Sequence, residues 1–293
     1  MRIGKPSRTC ALLTMVLLVS FSPVFCPAPS SVAGQAQEAS RIVVFRAAHV
    51  LPMSGPEIRN GMVIAEDGKI VAVGQDLEIP ERAEVIDGGD GWLLPGLIEA
   101  HTHFASGYGS ERPDPDETSN PNTAHLNILD GFNPFQKSVG YVARAGVTAS
   151  MISPGRRNVI GGQAAVIKHR GRTVEEMAVM SPSGVKLSLG EGPKDTYGSK
   201  GRLPSTRMGS AYVVRKALLD AQYFLAQKEA AEAQRAAKEA EAGGEGEDTI
   251  PSKGPVKRDL NLEVLAALLE GEMTAFFECY RADDIMTALR LVG

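Results

Sequence analysis

The sequence predicts an α/β fold in which a small β unit precedes a parallel sheet, and three observations support this prediction. Short apolar runs separated by turns occupy residues 41–99. Beyond them, strand-like and helix-like segments alternate, a rhythm that is typical of parallel strands joined by right-handed crossovers. The chain has 293 residues, of which 43% are hydrophobic, and this is enough for a substantial core.

The first 36 residues have the composition of a signal peptide. Three basic residues precede an apolar segment at residues 11–25, and small residues follow around position 34. We therefore expect cleavage near residue 36 and an exported product, periplasmic or secreted. A retained membrane anchor is disfavoured because the apolar run is short. Lipidation at Cys26 is disfavoured because the bulky Phe25 directly precedes it.

Cleavage would make the chain more acidic. It removes Arg2, Lys5 and Arg8 and no acidic residue, which changes the formal net charge from -4 to -7. No basic patch then remains to neutralise phosphates, so a nucleic-acid partner is not expected. No later segment is apolar enough to predict a stable membrane span. Only Cys279 of the three cysteines would remain, which excludes an intramolecular disulfide.

Residues 37–94 are predicted to form the small β unit. Its strand-like runs are 42–45, 62–65 and 70–74. Asp67-Gly68 separates the last two runs, and this dipeptide between apolar segments is a strong hairpin signal.

The stretch from Leu93 to Phe104 is an apolar run, broken by Pro-Gly, that ends in two histidines. This pattern predicts a buried strand with a metal site at its end. Residues i and i+2 of a strand point to the same side, so His101 and His103 can converge on one ion. Neutral imidazole suits zinc, iron and nickel. A pair of histidines without an ion is the alternative.

Residues 95–103, Pro95-Gly96-Leu97-Ile98-Glu99-Ala100-His101-Thr102-His103, resemble the first-strand signature of the amidohydrolase superfamily, with Glu99 where Asp is commoner. Four further segments resemble its imidazolonepropionase-like, often exported branch: 158–163, 184–191, 204–209 and 279–284. The resemblance implies a partial (β/α)8 TIM-type barrel at 95–293 beside an N-terminal β-sandwich portion at 37–94. It also implies a metal-dependent hydrolase that uses metal-activated water on C–N bonds of small non-peptide or cyclic amides.

The resemblance implies a ligand set for a divalent metal, zinc in the first place, with one or two ions. His101 and His103 would be ligands, and Glu278 stands where relatives have a ligand histidine; a carboxylate can also coordinate zinc. Several members carry a carbamylated lysine that bridges two metals, and Lys186 occupies a comparable strand position. A lysine that faces solvent is the open alternative, since an unpaired buried ammonium is costly. Cys279 should lie on the opposite strand face, as a core residue.

Two residues are candidates for substrate contact. Gln163 ends a glycine-containing loop, 154–163, where backbone amides could approach a ligand, although a plain turn is the alternative. Arg281 follows the strand of Glu278, and it could equally pair with Asp283 or Asp284. His169, between two cationic residues, is predicted to be a solvated surface histidine.

The remaining elements are assigned by local signals. Asn133 and Pro134 predict the N-cap and first residue of a helix that ends before Gly146, followed by a strand at 147–152. A polar loop at 106–122 is expected to overhang the site. A polar helix and a linker form an insertion at about 226–256, to which no chemistry is assigned.

A second hypothesis follows from length. A complete barrel of this type takes about 250 residues, whereas about 200 follow Leu94. The later histidine ligand and the aspartate base of the family are not found, since His49 and His125 lie elsewhere. The alternative is therefore a non-catalytic truncated remnant or one half of a split enzyme, with a complementing chain or homo-oligomer covering its strand edges.

Overall fold

A computed structural model describes residues 40–104, 115–241 and 256–293. They divide into two compact units. The first contains the described residues up to Val50 together with Ile58–Gly91, and the second contains Leu51–Glu57 and the described residues from Trp92 onwards. The predicted signal peptide, positions 105–114 of the polar loop and the linker at 243–248 lie outside the described residues.

The first unit is a β-sheet. Its strands are β1 (Ile42–Val50), β2 (Ile58–Glu66), β3 (Lys69–Gly74) and β4 (Glu84–Asp87). They lie in the order β3-β2-β1-β4, with β4 parallel to β1 and the other pairs antiparallel. The predicted hairpin is confirmed, because Asp67 and Gly68 join β2 to β3 with φ of 49° and 78°, the left-handed values of a tight hairpin turn. The two-layered sandwich stays a prediction.

The second unit is mixed α/β. Its strands are β5 (Trp92–Leu93), β6 (Leu97–Thr102), β7 (Val147–Ile152), β8 (Ile160–Lys168), β9 (Ala178–Ser188) and β10 (Ala275–Glu278). Its helices are α1 (Lys137–Arg144), α2 (Val174–Met177), α3 (Glu191–Gly198), α4 (Arg207–Glu241), α5 (Leu260–Leu269) and α6 (Ala282–Val292). A 3-10 turn at Ile128–Gly131 precedes α1.

The main sheet of this unit has the order β10-β9-β8-β7-β6 and is not wholly parallel. The pairs β6–β7 and β9–β10 are parallel, whereas β8 runs antiparallel to both neighbours, so the prediction of a parallel sheet is wrong at β8. Residues 153–159 connect β7 to β8, which is too short for a parallel crossover of a dozen or more residues. Helix-containing connections link the parallel pairs.

Two local predictions need correction. Helix α1 begins at Lys137 rather than after Asn133, because the Asn133 side chain accepts a hydrogen bond from the Phe135 N–H at 3.0 Å and so stabilises a turn instead. The helix does end before Gly146, whose φ is 89°. The segment Ile160–Gln163, predicted as loop, belongs to β8.

His169 is buried, contrary to the prediction of a solvated histidine. Its Nδ1 lies 2.7 Å from the Val147 carbonyl oxygen, and its ring packs edge-on to Phe104 with a centroid distance of 5.3 Å. The neighbouring Lys168 and Arg170 are exposed. Alternation along extended backbone sends the flanking charges outward and the imidazole inward.

The largest core cluster covers the outer face of β9. Val185 and Leu187 pack there against residues of α4 and α5. Alternation along the strand therefore turns Lys186 to the opposite, inner face. Helix α4 includes the predicted polar helix, which begins at about residue 226, as far as Glu241. Within the described ranges, no helix combines the length and apolar character needed to cross a bilayer.

Candidate metal centre

The C-terminal ends of β6, β9 and β10 converge and place the predicted ligands together. β6 contains His101, and His103 lies one residue past the end of this strand. The strand is not buried as predicted, since Leu97 and Ile98 are 54% and 73% exposed. The cause is its position at the edge of the sheet, where β7 is its hydrogen-bonded neighbour.

His101, His103 and Glu278 have the composition of a metal site. One ligand atom from each lies within 4.8 Å of the others. Zinc binds nitrogen and oxygen ligands at about 2.0–2.2 Å in tetrahedral geometry, which places two ligands of one ion roughly 3.3–3.6 Å apart. Side-chain movements on the order of 1 Å would bring all three ligand atoms to one ion.

Lys186 lies at the centre of this group. It is 1% exposed, which excludes the alternative that it faces solvent. Its Nζ is 2.8 Å from His101 Nε2 and 2.5 Å from Glu278 Oε2. Burial lowers the pKa of Lys186, and the hydrogen bond to Glu278 opposes that shift. An ion at this place requires Lys186 to be neutral, displaced or carbamylated, because an ammonium group repels a cation.

Glu278 supplies the negative charge of the group. Burial alone would raise its pKa, but contacts with His103, Lys186 and Tyr280 outweigh burial and lower the pKa below its ordinary value. Its Oε1 accepts from the Tyr280 hydroxyl, and its Oε2 lies 3.7 Å from His103 Nε2. The carboxylate is therefore ionised and ready to bind a cation.

Metal binding requires a neutral imidazole, and the setting of His101 favours this form. Burial, followed by the positive charges of Lys186 and His103, lowers the pKa of His101. His103 Nδ1 lies 3.0 Å from the Ser153 carbonyl oxygen. A proton on Nδ1 would satisfy this contact and leave Nε2, on the Glu278 side, as the ligand atom.

Asp116 is a neighbour of the site that the sequence analysis missed. Its Oδ1 accepts a hydrogen bond of 2.9 Å from the Arg157 N–H. Burial raises its pKa, whereas the Arg157 contact and the positive charges of His103 and Lys186 act in the opposite direction. Asp116 belongs to the polar loop that was expected to overhang the site, but nothing in that aperiodic segment distinguishes it from the other acidic residues.

The two predicted substrate contacts are engaged elsewhere. Gln163 is buried in β8, and its Nε2 donates to the Ala124 carbonyl oxygen at 3.2 Å. Arg281 makes two hydrogen bonds to Asp283, at 2.9 and 2.8 Å. Pairing with this aspartate was the predicted alternative to substrate contact. Their substrate roles stay predictions. Cys279 packs against the main core cluster, on the strand face predicted for it.

The sequence matches no protein-family model. It is similar to the amidohydrolase tasK of Hapsidospora irregularis, with 30% identity over 245 residues, covering 77% of this chain and 24% of that protein. A 69-residue segment is 38% identical to the imidazolonepropionase of Aromatoleum aromaticum and covers 21% of this chain and 17% of that protein.

A solved structure covers more of the chain. The crystal structure of an amidohydrolase from Thermotoga maritima superposes with a TM-score of 0.74 and 35% sequence identity, covering 85% of this chain and 61% of that one. The chain therefore spans about three fifths of the Thermotoga protein and about a quarter of the Hapsidospora protein.

Proposed function

Because this chain belongs to the amidohydrolase superfamily, we propose that it carries the first part of the metal centre of a hydrolase that cleaves C–N bonds in non-peptide, cyclic or related amides. The observation that carries the proposal is the convergence of His101, His103 and Glu278 around Lys186. These groups come from three strands that are far apart in sequence.

The donor set fits a divalent metal, with zinc as the first candidate. Two imidazole nitrogens and one carboxylate oxygen are ligands that zinc accepts. Carbamylation of Lys186 would convert the central cation into an anionic oxygen donor and would allow a second ion to bind. When bound, the ion would lower the pKa of water towards neutrality and polarise the carbonyl group of an amide.

The chain's own residues prepare the site in three ways. Ser153 fixes the orientation of the His103 ring through its carbonyl oxygen. Glu278 offsets the positive charge of the centre. The buried setting of Lys186 removes water from one side of the ligands, which strengthens electrostatic interactions there.

The wider setting is part of the proposal. The similarity to an imidazolonepropionase favours a small cyclic amide as substrate. The (β/α)8 barrel would be the parent architecture, with β6–β10 as part of its wall. The protein would be exported to the periplasm or beyond by a signal peptide at 1–36, without a lipid anchor at Cys26.

A second candidate function is favoured by one contact. The Lys186 ammonium already bonds both His101 and Glu278, as a cation would. A protein that keeps this ion pair in place of a metal would be a non-catalytic remnant of the fold, or one half of a split enzyme that is activated by a complementing chain.

Metal content and turnover decide between the two candidates. We expect the purified protein to retain zinc and to hydrolyse amides from a panel of cyclic and linear compounds, and we expect His101→Ala to abolish both properties. His125→Ala, which removes an exposed histidine outside the cluster, should retain both. A wild-type protein that has neither bound metal nor turnover under metal-replete conditions would favour the remnant.

A further inference from the structure

Glu278 is held from the side opposite Lys186 by a relay of two residues. The Tyr280 hydroxyl donates a hydrogen bond to Glu278 Oε1. Arg156 Nη1 in turn donates to the Tyr280 oxygen at 2.9 Å, and its guanidinium carbon lies 5.5 Å from the centre of the Tyr280 ring. Glu278, Tyr280 and Arg156 thus form a chain of contacts that leads away from the metal ligands.

The direction of this relay follows from the chemistry of its members. Arginine has only donors, and a phenol has one proton to give. Because Arg156 uses a lone pair of the Tyr280 oxygen, the phenolic proton is free to point at Glu278. The carboxylate must accept it, since it is ionised.

The two oxygens of Glu278 consequently have different partners. Oε1 is engaged by Tyr280, whereas Oε2 lies 2.5 Å from Lys186 Nζ and 3.7 Å from His103 Nε2. The terminal torsion of a glutamate is broad and only weakly restricted by itself. An external hydrogen bond is therefore what decides which oxygen points at the ligands.

We propose that Tyr280, supported by Arg156, is a positioning residue that makes Glu278 a one-oxygen metal ligand through Oε2. This inference rests on the proposed function. It adds that Tyr280 and Arg156 compensate for the presence of a carboxylate at a position where the resemblance implies a histidine. The positive charge of Arg156, which hydrogen-bonds the Tyr280 hydroxyl, partly offsets the extra negative charge of Glu278. Outer partners of this kind commonly change metal affinity by about 10- to 100-fold when they are removed.

The exposure of Tyr280 argues that its hydroxyl, not its packing, is what the site uses. The residue is 67% exposed, so its ring buries little apolar surface and contributes little to the core. Loss of the hydroxyl should accordingly leave folding intact and change the ligand.

The test is a cobalt titration of the full chain after treatment with a chelator, followed by visible absorption. The variants are Tyr280→Phe and, as a matched control, Tyr223→Phe, which removes the hydroxyl of a tyrosine on α4 that is 68% exposed. We expect Tyr280→Phe to weaken cobalt binding about 10- to 100-fold. Its absorption should also fall as Glu278 becomes free to chelate through both oxygens and raises the coordination number.

Thermal unfolding of the metal-free proteins separates positioning from stability. We expect the wild type and both variants to share one midpoint. Equal cobalt affinity and equal spectra for the wild type and Tyr280→Phe would overturn the inference and leave the proposed function standing. A loss of affinity that is matched by a lower metal-free midpoint would also overturn it. A wild type that binds no cobalt would refute the proposed function and this inference together.

Discussion

At the scale of single residues, the charge state of Lys186 determines whether the centre can bind a metal ion. It is the largest charged side chain among the fully buried residues that the structure describes, and its partners are His101 and Glu278. A buried ion pair is costly to break from one side, because the remaining charge is then desolvated without compensation.

The metal-free protein should therefore respond asymmetrically to substitutions in this pair. Lys186→Met leaves the half-buried Glu278 without its main cation, and we expect the free energy of unfolding to fall by roughly 3 kcal/mol. The double variant Lys186→Met/Glu278→Gln should be more stable than Lys186→Met alone, because both charges are gone. Urea denaturation in the presence of a chelator measures this coupling. Additive effects of the two substitutions would contradict the pairing.

At the scale of elements, the connection from β7 to β8 contacts the segment that contains Asp116. Gly155 lies in this connection, and its N–H donates to the Pro115 carbonyl oxygen at 2.8 Å. A Cβ at this position would lie 2.2 Å from Asp116 Oδ2, a distance that real contacts do not reach. The connection thus contacts Pro115 and Asp116, and the charges of His103 and Lys186 act on the Asp116 carboxyl group.

Gly155→Ala should displace Asp116 and break its hydrogen bond with the Arg157 N–H. We expect a loss of about 1–3 kcal/mol of unfolding free energy, which is typical of overpacking. The penalty should shrink when Asp116→Ala is present as well. Gly131→Ala is the control, since its added Cβ would meet no atom within 4 Å. Denaturant unfolding of the wild type, the two single variants, the double variant and the control gives the comparison, and an equal penalty in both backgrounds would argue against the contact.

At the scale of the whole molecule, the main sheet ends in two edge strands, β6 and β10. β6 carries large apolar side chains into solvent, with Leu97 54% and Ile98 73% exposed. An exposed apolar edge is a template for pairing with another chain. This edge is where a complementing chain or a second copy would be expected to add.

We predict that the isolated chain self-associates through this edge. Ile98→Lys should lower the weight-average mass in analytical ultracentrifugation, because a lysine on an edge strand opposes pairing. Met53→Lys, which places the same charge on another side chain with 67% exposure, should not have this effect. A wild type that sediments as a monomer at micromolar concentration would refute the prediction.

The sequence alone determined the elements whose signals are local. The Asp67-Gly68 hairpin and the strand at 147–152 follow from turn chemistry and periodicity within a few residues. The pair His101 and His103 was also recognisable, because their i, i+2 spacing lies within one strand. These features depend on neighbours along the chain, which the sequence displays directly.

Only the tertiary structure decided what depends on distant neighbours. The antiparallel direction of β8, the burial of His169 and the exposure of β6 are set by which strands lie side by side. The contacts of Lys186 with His101 and Glu278 join residues 85 and 92 positions apart. Such pairings leave no periodic trace in the sequence, because the energy that selects them comes from packing between elements and not from the local backbone.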